Sequence, residues 1–106
     1  MTSLVSKIYV RIRDTEWNVY RRYSQFYELH QSLRKKDPIV NSFDFPPKKT
    51  MGNMGERFVE DRRRALQSYL RCIVNYLVRP FEILRVDECA TLSNPGDHQC
   101  KFVHLP

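Results

Sequence analysis

The chain has 106 residues, 42% of them hydrophobic, and carries 18 lysines and arginines against 12 acidic residues, a formal net charge of +6 at pH 7. That length holds one packed domain with a modest core, and the apolar content argues against wholesale disorder. The basic balance points to an anionic partner, whether a membrane surface, a nucleic acid or an acidic protein; with no run near the roughly 20 apolar residues of a membrane span, and no signal-peptide core, membrane contact is expected to be peripheral.

Lys7 to Arg13 alternates, with Ile8, Val10 and Ile12 on one side and Tyr9, Arg11 and Arg13 on the other, which predicts a half-buried strand. Asp14-Thr15-Glu16 is read as the turn into a second, aromatic-rich strand from Trp17 to Tyr23, giving a hairpin. Ser24 is placed to cap a helix whose apolar stripe is Phe26, Leu29 and Leu33. Lys35 and Lys36 fall in its favourable last turn, and Asp37-Pro38 stops it. His30 lies beside the stripe and reads as a packing or surface residue.

Residues 39–55 form a long irregular segment, stiffened by Pro46-Pro47 and followed by Lys48-Lys49, with a mildly apolar tip containing Met51 and Met54. A second helix is marked by Phe58, Ala65, Leu66, Tyr69, Ile73 and Leu77 on one face, and Arg79-Pro80 ends it. Arg62 falls on that apolar stripe, so it must snorkel outward or meet a buried anion. Arg63 and Arg64 are expected to turn away as solvated charges. Phe81, Ile83, Leu84 and Val86 read as a short helix or turn, residues 93–97 as a surface turn, and residues 101–105 as a short extended tail.

An enzyme needs a nucleophile beside a base, paired acids or a metal cluster, and no such spacing occurs. Cys72, Cys89 and Cys100 form no metal-ligand pattern with His30, His98 and His104, and a reduced, cytosolic context is the simplest reading of them. Cys72, next to Ile73, reads as a packed thiol. No catalytic residue, metal or cofactor is expected. Three basic features do carry chemistry: Arg22 at a strand–helix junction, Lys48 after the paired prolines, and Arg62 on the inner helix face. Guanidinium grips phosphate through paired, charge-assisted hydrogen bonds, and lysine adds a compact charge. Periodicity does not bring the three together, so unrelated surface charges remain an open reading at this point.

Arg21-Arg22-Tyr23-Ser24-Gln25-Phe26, then Phe45-Pro46-Pro47-Lys48, then Phe58-Val59-Glu60-Asp61-Arg62-Arg63-Arg64-Ala65-Leu66, in that order, resembles the phox-homology (PX) domain of the sorting-nexin type. The resemblance covers about residues 7 to 80, within a single domain spanning 1–106 whose segment 81–106 is atypical. It implies an α+β fold: a small antiparallel sheet of three strands packed against a helical subdomain, with a proline-containing loop between the first two long helices. Only two strands are clear before the first helix, so the family's first strand is expected to be truncated or confined to Thr2 to Lys7.

The resemblance implies a non-catalytic, membrane-targeting domain that recognises phosphatidylinositol 3-phosphate on endosomal membranes, as a cytoplasmic, peripherally associated protein. Carried over by position, Arg22 contacts the 3-phosphate, Tyr23 lies under the inositol ring, Lys48 contacts the 1-phosphate and Arg62 binds the 4- and 5-hydroxyls. Met51 and Met54 belong to the loop that enters the bilayer, assisted by an anionic phospholipid surface. Arg21 is sent to the opposite side from Arg22 by strand alternation and is left out. The proline loop has Phe43 three positions before Pro46, so an SH3-ligand role is not expected. Two alternatives accompany this reading: a protein-interaction module with weak or non-selective anionic-lipid binding, recruiting partners of the parent chain, and a basic nucleic-acid-binding domain. No specific nucleic acid is expected.

Overall fold

The computed structural model of the chain describes residues 3–47, 56–91 and 100–102. Strand β1 (Ser3–Ile12) and strand β2 (Thr15–Arg21) pair as an antiparallel hairpin. β1 buries Ile8 and Val10 and leaves Lys7, Tyr9 and Arg11 partly exposed, as its alternation predicts; Ser6 is buried as well, and Ile12, at the hairpin end, is only partly buried. The turn is Arg13-Asp14, earlier than expected, because Thr15 and Glu16 already pair with Ile12 and Arg11. Arg13 occupies the left-handed region at φ 55°.

Helix α1 (Tyr23–Lys36) follows directly and buries Phe26 and His30. Leu29, expected in that stripe, is 41% exposed. The imidazole takes the inward position because it has partners there. It shares a 2.8 Å hydrogen bond with the Tyr69 hydroxyl and stacks on Phe45 at 4.6 Å. Asp37 ends α1, and a 3-10 turn over Pro38–Ser42 buries Val40. Helix α2 (Glu56–Leu77) buries Val59, Leu66, Tyr69, Leu70 and Ile73, with Leu77 left exposed at its end.

The segment after Pro80 departs from the expected helix or turn. Residues Phe81–Thr91 form strand β3, which pairs antiparallel with the whole of β1. The three-strand antiparallel sheet is therefore present in the order β2-β1-β3, and its third strand comes from after α2. The stretch around Thr2 to Lys7 makes no separate strand where it is described; residues from Ser3 onward extend β1. A short strand β4 (Cys100–Phe102) adds to the far edge, pairing with Cys89 to Thr91.

The register between β1 and β3 shifts between Tyr9 and Val10, leaving Leu84 as the extra residue of a bulge. Three polar side chains one turn apart on α2 cover the backbone freed there. Arg71 donates to the Ile83 and Leu84 carbonyls, Gln67 accepts from the Val86 N–H, and Arg63 donates to the Val86 carbonyl. Each would otherwise be a buried or edge polar group without a partner. Arg63 is thus half-buried against Glu60 and β3, not the solvated charge expected, whereas Arg64 is exposed.

The core joins Ile8 and Val10 of β1, Phe26 of α1, Val40, the α2 face from Leu66 to Ile73, and Ile83 and Val86 of β3. Two cysteine readings change. Cys89 is buried and disulfide-bonded, and Cys72 is an exposed free thiol because the helix turns it away from its buried neighbour Ile73. No helix among the described residues is long and apolar enough to cross a membrane.

Candidate functional site

The site is built where β2 ends and α1 begins. Arg22 occupies the N-cap of α1 with extended backbone (φ −93°, ψ 160°), a role the sequence pattern assigns to Ser24. Its N–H donates to Gln25 Oε1 at 2.9 Å, and its carbonyl accepts from the Gln25 and Phe26 N–H groups. Three backbone-level contacts therefore fix Cα of Arg22, while the residue remains exposed on the surface.

Tyr23, the first helical residue, is half-buried. Its hydroxyl donates to the Pro46 carbonyl at 2.7 Å, which ties the start of α1 to the proline loop. Burial raises the phenol above its ordinary value of 10.0, so it remains a donor. The loop is held from a second direction: Phe45 stacks on His30 and meets Tyr69 edge-on at 4.9 Å. Burial also pushes the Tyr69 hydroxyl up to about 12 and holds His30 below 6.5, so both stay neutral at pH 7. Pro46 is buried, and Lys48 follows two residues later. Lys48, Met51 and Met54 themselves lie outside the described residues.

Arg62 reaches this point from α2. Its guanidinium carbon lies 4.3 Å from the centre of the Tyr23 ring, a cation–π contact across two helices. Its side chain is only 10% exposed, and on its inner edge Nε lies 4.0 Å from Oε1 of Glu88, which is 0% exposed. The sequence offered Arg62 two options, snorkelling or a buried anion; the structure provides the anion. Burial lowers the arginine from its ordinary value despite Glu88 and raises the Glu88 carboxyl from 4.5 despite Ser6 and Arg62. Desolvation thus outweighs the pair's mutual attraction for both partners. Ser6 Oγ donates to Glu88 Oε1 at 2.8 Å and fixes the carboxylate.

The structure brings together Tyr23, Arg62 and the start of the Lys48 loop, with Arg22 adjacent in the chain. Two residues of this neighbourhood, Glu88 and Ser6, have no counterpart among the residues singled out from the sequence. Ser6 lies opposite Glu88 in the β1–β3 register, so the pair becomes visible only once that register is known. Among the described residues, no group of histidines, cysteines and carboxylates could hold a metal ion.

The family model described as the PX domain matches residues 9–80. This chain belongs to the PX family. It is 43% identical over 65 residues to the kinesin-like protein KIF16B of Mus musculus, covering 61% of this chain and 5% of that protein. It is 39% identical over 74 residues to the PX domain-containing protein kinase-like protein of Mus musculus, covering 68% of this chain and 12% of the relative. With human sorting nexin-13 it shares 36% over 59 residues, covering 55% of this chain and 6% of the other. The chain thus spans only a small part of the proteins it matches. No solved structure matches it. PX domains are non-catalytic lipid-binding modules that bind phosphoinositides and associate peripherally with membranes. The match ends at Pro80, so all of β3, with Glu88, lies beyond it.

Proposed function

We propose that this PX domain recognises phosphatidylinositol 3-phosphate and recruits its parent chain to endosomal membranes. The observation that carries the reading is the convergence at Tyr23: its ring rests on the Arg62 guanidinium at 4.3 Å and its hydroxyl holds Pro46 at 2.7 Å. Two of the four family positions touch, a third is adjacent in the chain, and the loop leading to the fourth is pinned to the same side chain.

In this reading Arg22 grips the 3-phosphate through paired donors, and Tyr23 supplies the flat surface under the inositol. Arg62, buried and polarised, donates to the 4- and 5-hydroxyls, while Lys48 meets the 1-phosphate. Met51 and Met54 add apolar area at the bilayer, and the net charge of +6 attracts the domain to an anionic leaflet. Neither methionine supplies much area alone, so headgroup binding, charge and insertion act together. The residues of 1–106 work as one domain here, with strands β3 and β4 completing the sheet.

Titration of the labelled protein with short-chain phosphatidylinositol 3-phosphate tests the assignment residue by residue. The expected result is saturable movement of the Arg22, Tyr23 and Arg62 resonances. Movement confined to the outer sheet face, or equal response to a single-stranded oligonucleotide, sinks it.

A further inference from the structure

Glu88 lies outside the family match, on a strand that the sequence pattern does not announce, and is completely buried beneath Arg62. A guanidinium has two flat faces, an Nε edge and an outer edge carrying the terminal nitrogens. The guanidinium carbon of Arg62 lies over the Tyr23 ring, and Glu88 lies at the Nε edge. Nε is buried and makes no hydrogen bond among the described residues, and the same holds for Oε2 of Glu88. At 4.0 Å the two groups interact as charges across a gap beyond hydrogen-bond range. The terminal nitrogens make no hydrogen bond among the described residues either, so Arg62 is held from the inside with its ligating edge uncommitted.

We infer that Glu88 is a positioning residue for headgroup binding: its carboxylate, anchored by Ser6 Oγ, holds the inner edge of Arg62 so that the outer edge of the guanidinium faces the ligand. The inference rests on the proposed phosphoinositide reading and extends it to the C-terminal strand. The physical reason is that a long arginine stem has rotamer freedom to lose on binding, and a fixed charge behind it removes that freedom in advance. Glu88 itself is immobilised three ways: by the β1–β3 ladder, by the 2.8 Å bond from Ser6, and by complete burial. The strand after the family match is then part of the binding machinery, acting through Arg62 without touching the ligand.

A purely electrostatic role predicts the opposite effect, because removing a negative charge behind a basic pocket strengthens attraction for an anion. That difference in sign makes the test sharp. Short-chain phosphatidylinositol 3-phosphate is titrated into the parent, Glu88→Gln, Arg62→Ala and the double variant. Glu88→Gln keeps the size of the side chain and an acceptor for Ser6 but removes the charge. The expected result is affinity about tenfold weaker for Glu88→Gln, with no further loss when it is added to Arg62→Ala. Equal or tighter binding by Glu88→Gln, or additive losses in the double variant, overturns the inference.

The ligand-free protein gives a second readout. The Arg62 Nε–H resonance is expected to exchange slowly in the parent and to shift and exchange faster in Glu88→Gln, with distant amides unmoved. An unchanged Nε–H signal overturns the positioning role whether or not the parent binds lipid. A parent that binds no phosphoinositide overturns the functional reading itself, and with it the part Glu88 plays in binding. Glu88→Asp, which keeps the charge but withdraws it by one methylene, provides a folded comparison if Glu88→Gln is unstable, and an intermediate loss is expected.

Discussion

Replacing the Arg62–Glu88 pair by a neutral one of the same shape, Arg62→Met/Glu88→Gln, is predicted to stabilise the fold while destroying headgroup recognition. The two side chains are 10% and 0% exposed and 4.0 Å apart. At that separation, with an effective dielectric constant of about 20, their attraction is about 4 kcal/mol. Against it stand several kcal/mol of desolvation for each ion. Nε and Oε2 add about 1–3 kcal/mol each as buried polar atoms without hydrogen-bond partners among the described residues. The sum is unfavourable, in agreement with the direction in which burial moves both titrations. Methionine fills the arginine stem's path along the core, and glutamine retains an acceptor for the Ser6 hydroxyl. The double variant should therefore gain about 1–4 kcal/mol in urea unfolding at pH 7. Arg62→Met alone should lose stability, because it strands the carboxylate. The pH dependence adds a second check. The folded carboxyl sits above 4.5, so its favourable contribution is complete below that value and disappears as pH rises through the folded value. The parent should lose stability relative to the double variant across that interval. A double variant less stable than the parent at pH 7 refutes the reasoning.

Tyr23→Phe keeps the ring over Arg62 but removes the 2.7 Å bond to Pro46; it should cost about 1 kcal/mol in unfolding and weaken phosphatidylinositol 3-phosphate binding several-fold in calorimetry, with isomer order unchanged. His30 is held below 6.5 chiefly by burial, so its contribution is present above 6.5 and is lost as pH falls through its folded value. His30→Phe should remove that acid sensitivity from thermal unfolding curves while preserving the stack on Phe45. Arg13→Gly relieves the left-handed φ of 55° and should stabilise the hairpin by about 0.5–1 kcal/mol, read as a higher Tm.

The parts of this fold that were legible in the sequence are those governed by one local period. α2 shows itself through Leu66, Tyr69 and Ile73, and the break in its stripe at Arg62 marks a residue that must snorkel outward or meet a buried anion. The Arg22-Tyr23 junction and the proline segment were readable as motifs because their spacing is local. His30 shows where periodicity stops: hydropathy favours Leu29 in the core, but Tyr69 and Phe45 supply partners that make the imidazole the better inward residue. β3 was illegible for a different reason. The bulge at Leu84 breaks the alternation, so Ile83 and Val86 imitate a helical step, and a glutamate sits at a core-facing position. Its pairing partner is far away in the chain, with Ser6 and Glu88 separated by 82 residues. The anion that Arg62 meets is therefore hidden together with the strand that carries it.

If Arg22 confers selective recognition of one phosphoinositide, liposome co-sedimentation reads that selectivity out. Membranes of matched charge, each carrying a single phosphoinositide isomer, are compared for the parent and Arg22→Ala. The expected result is preferential sedimentation of the parent with the 3-phosphate isomer, lost in a variant that remains folded. Equal sedimentation of parent and variant with those membranes, or equal binding of the parent to every anionic liposome, contradicts it.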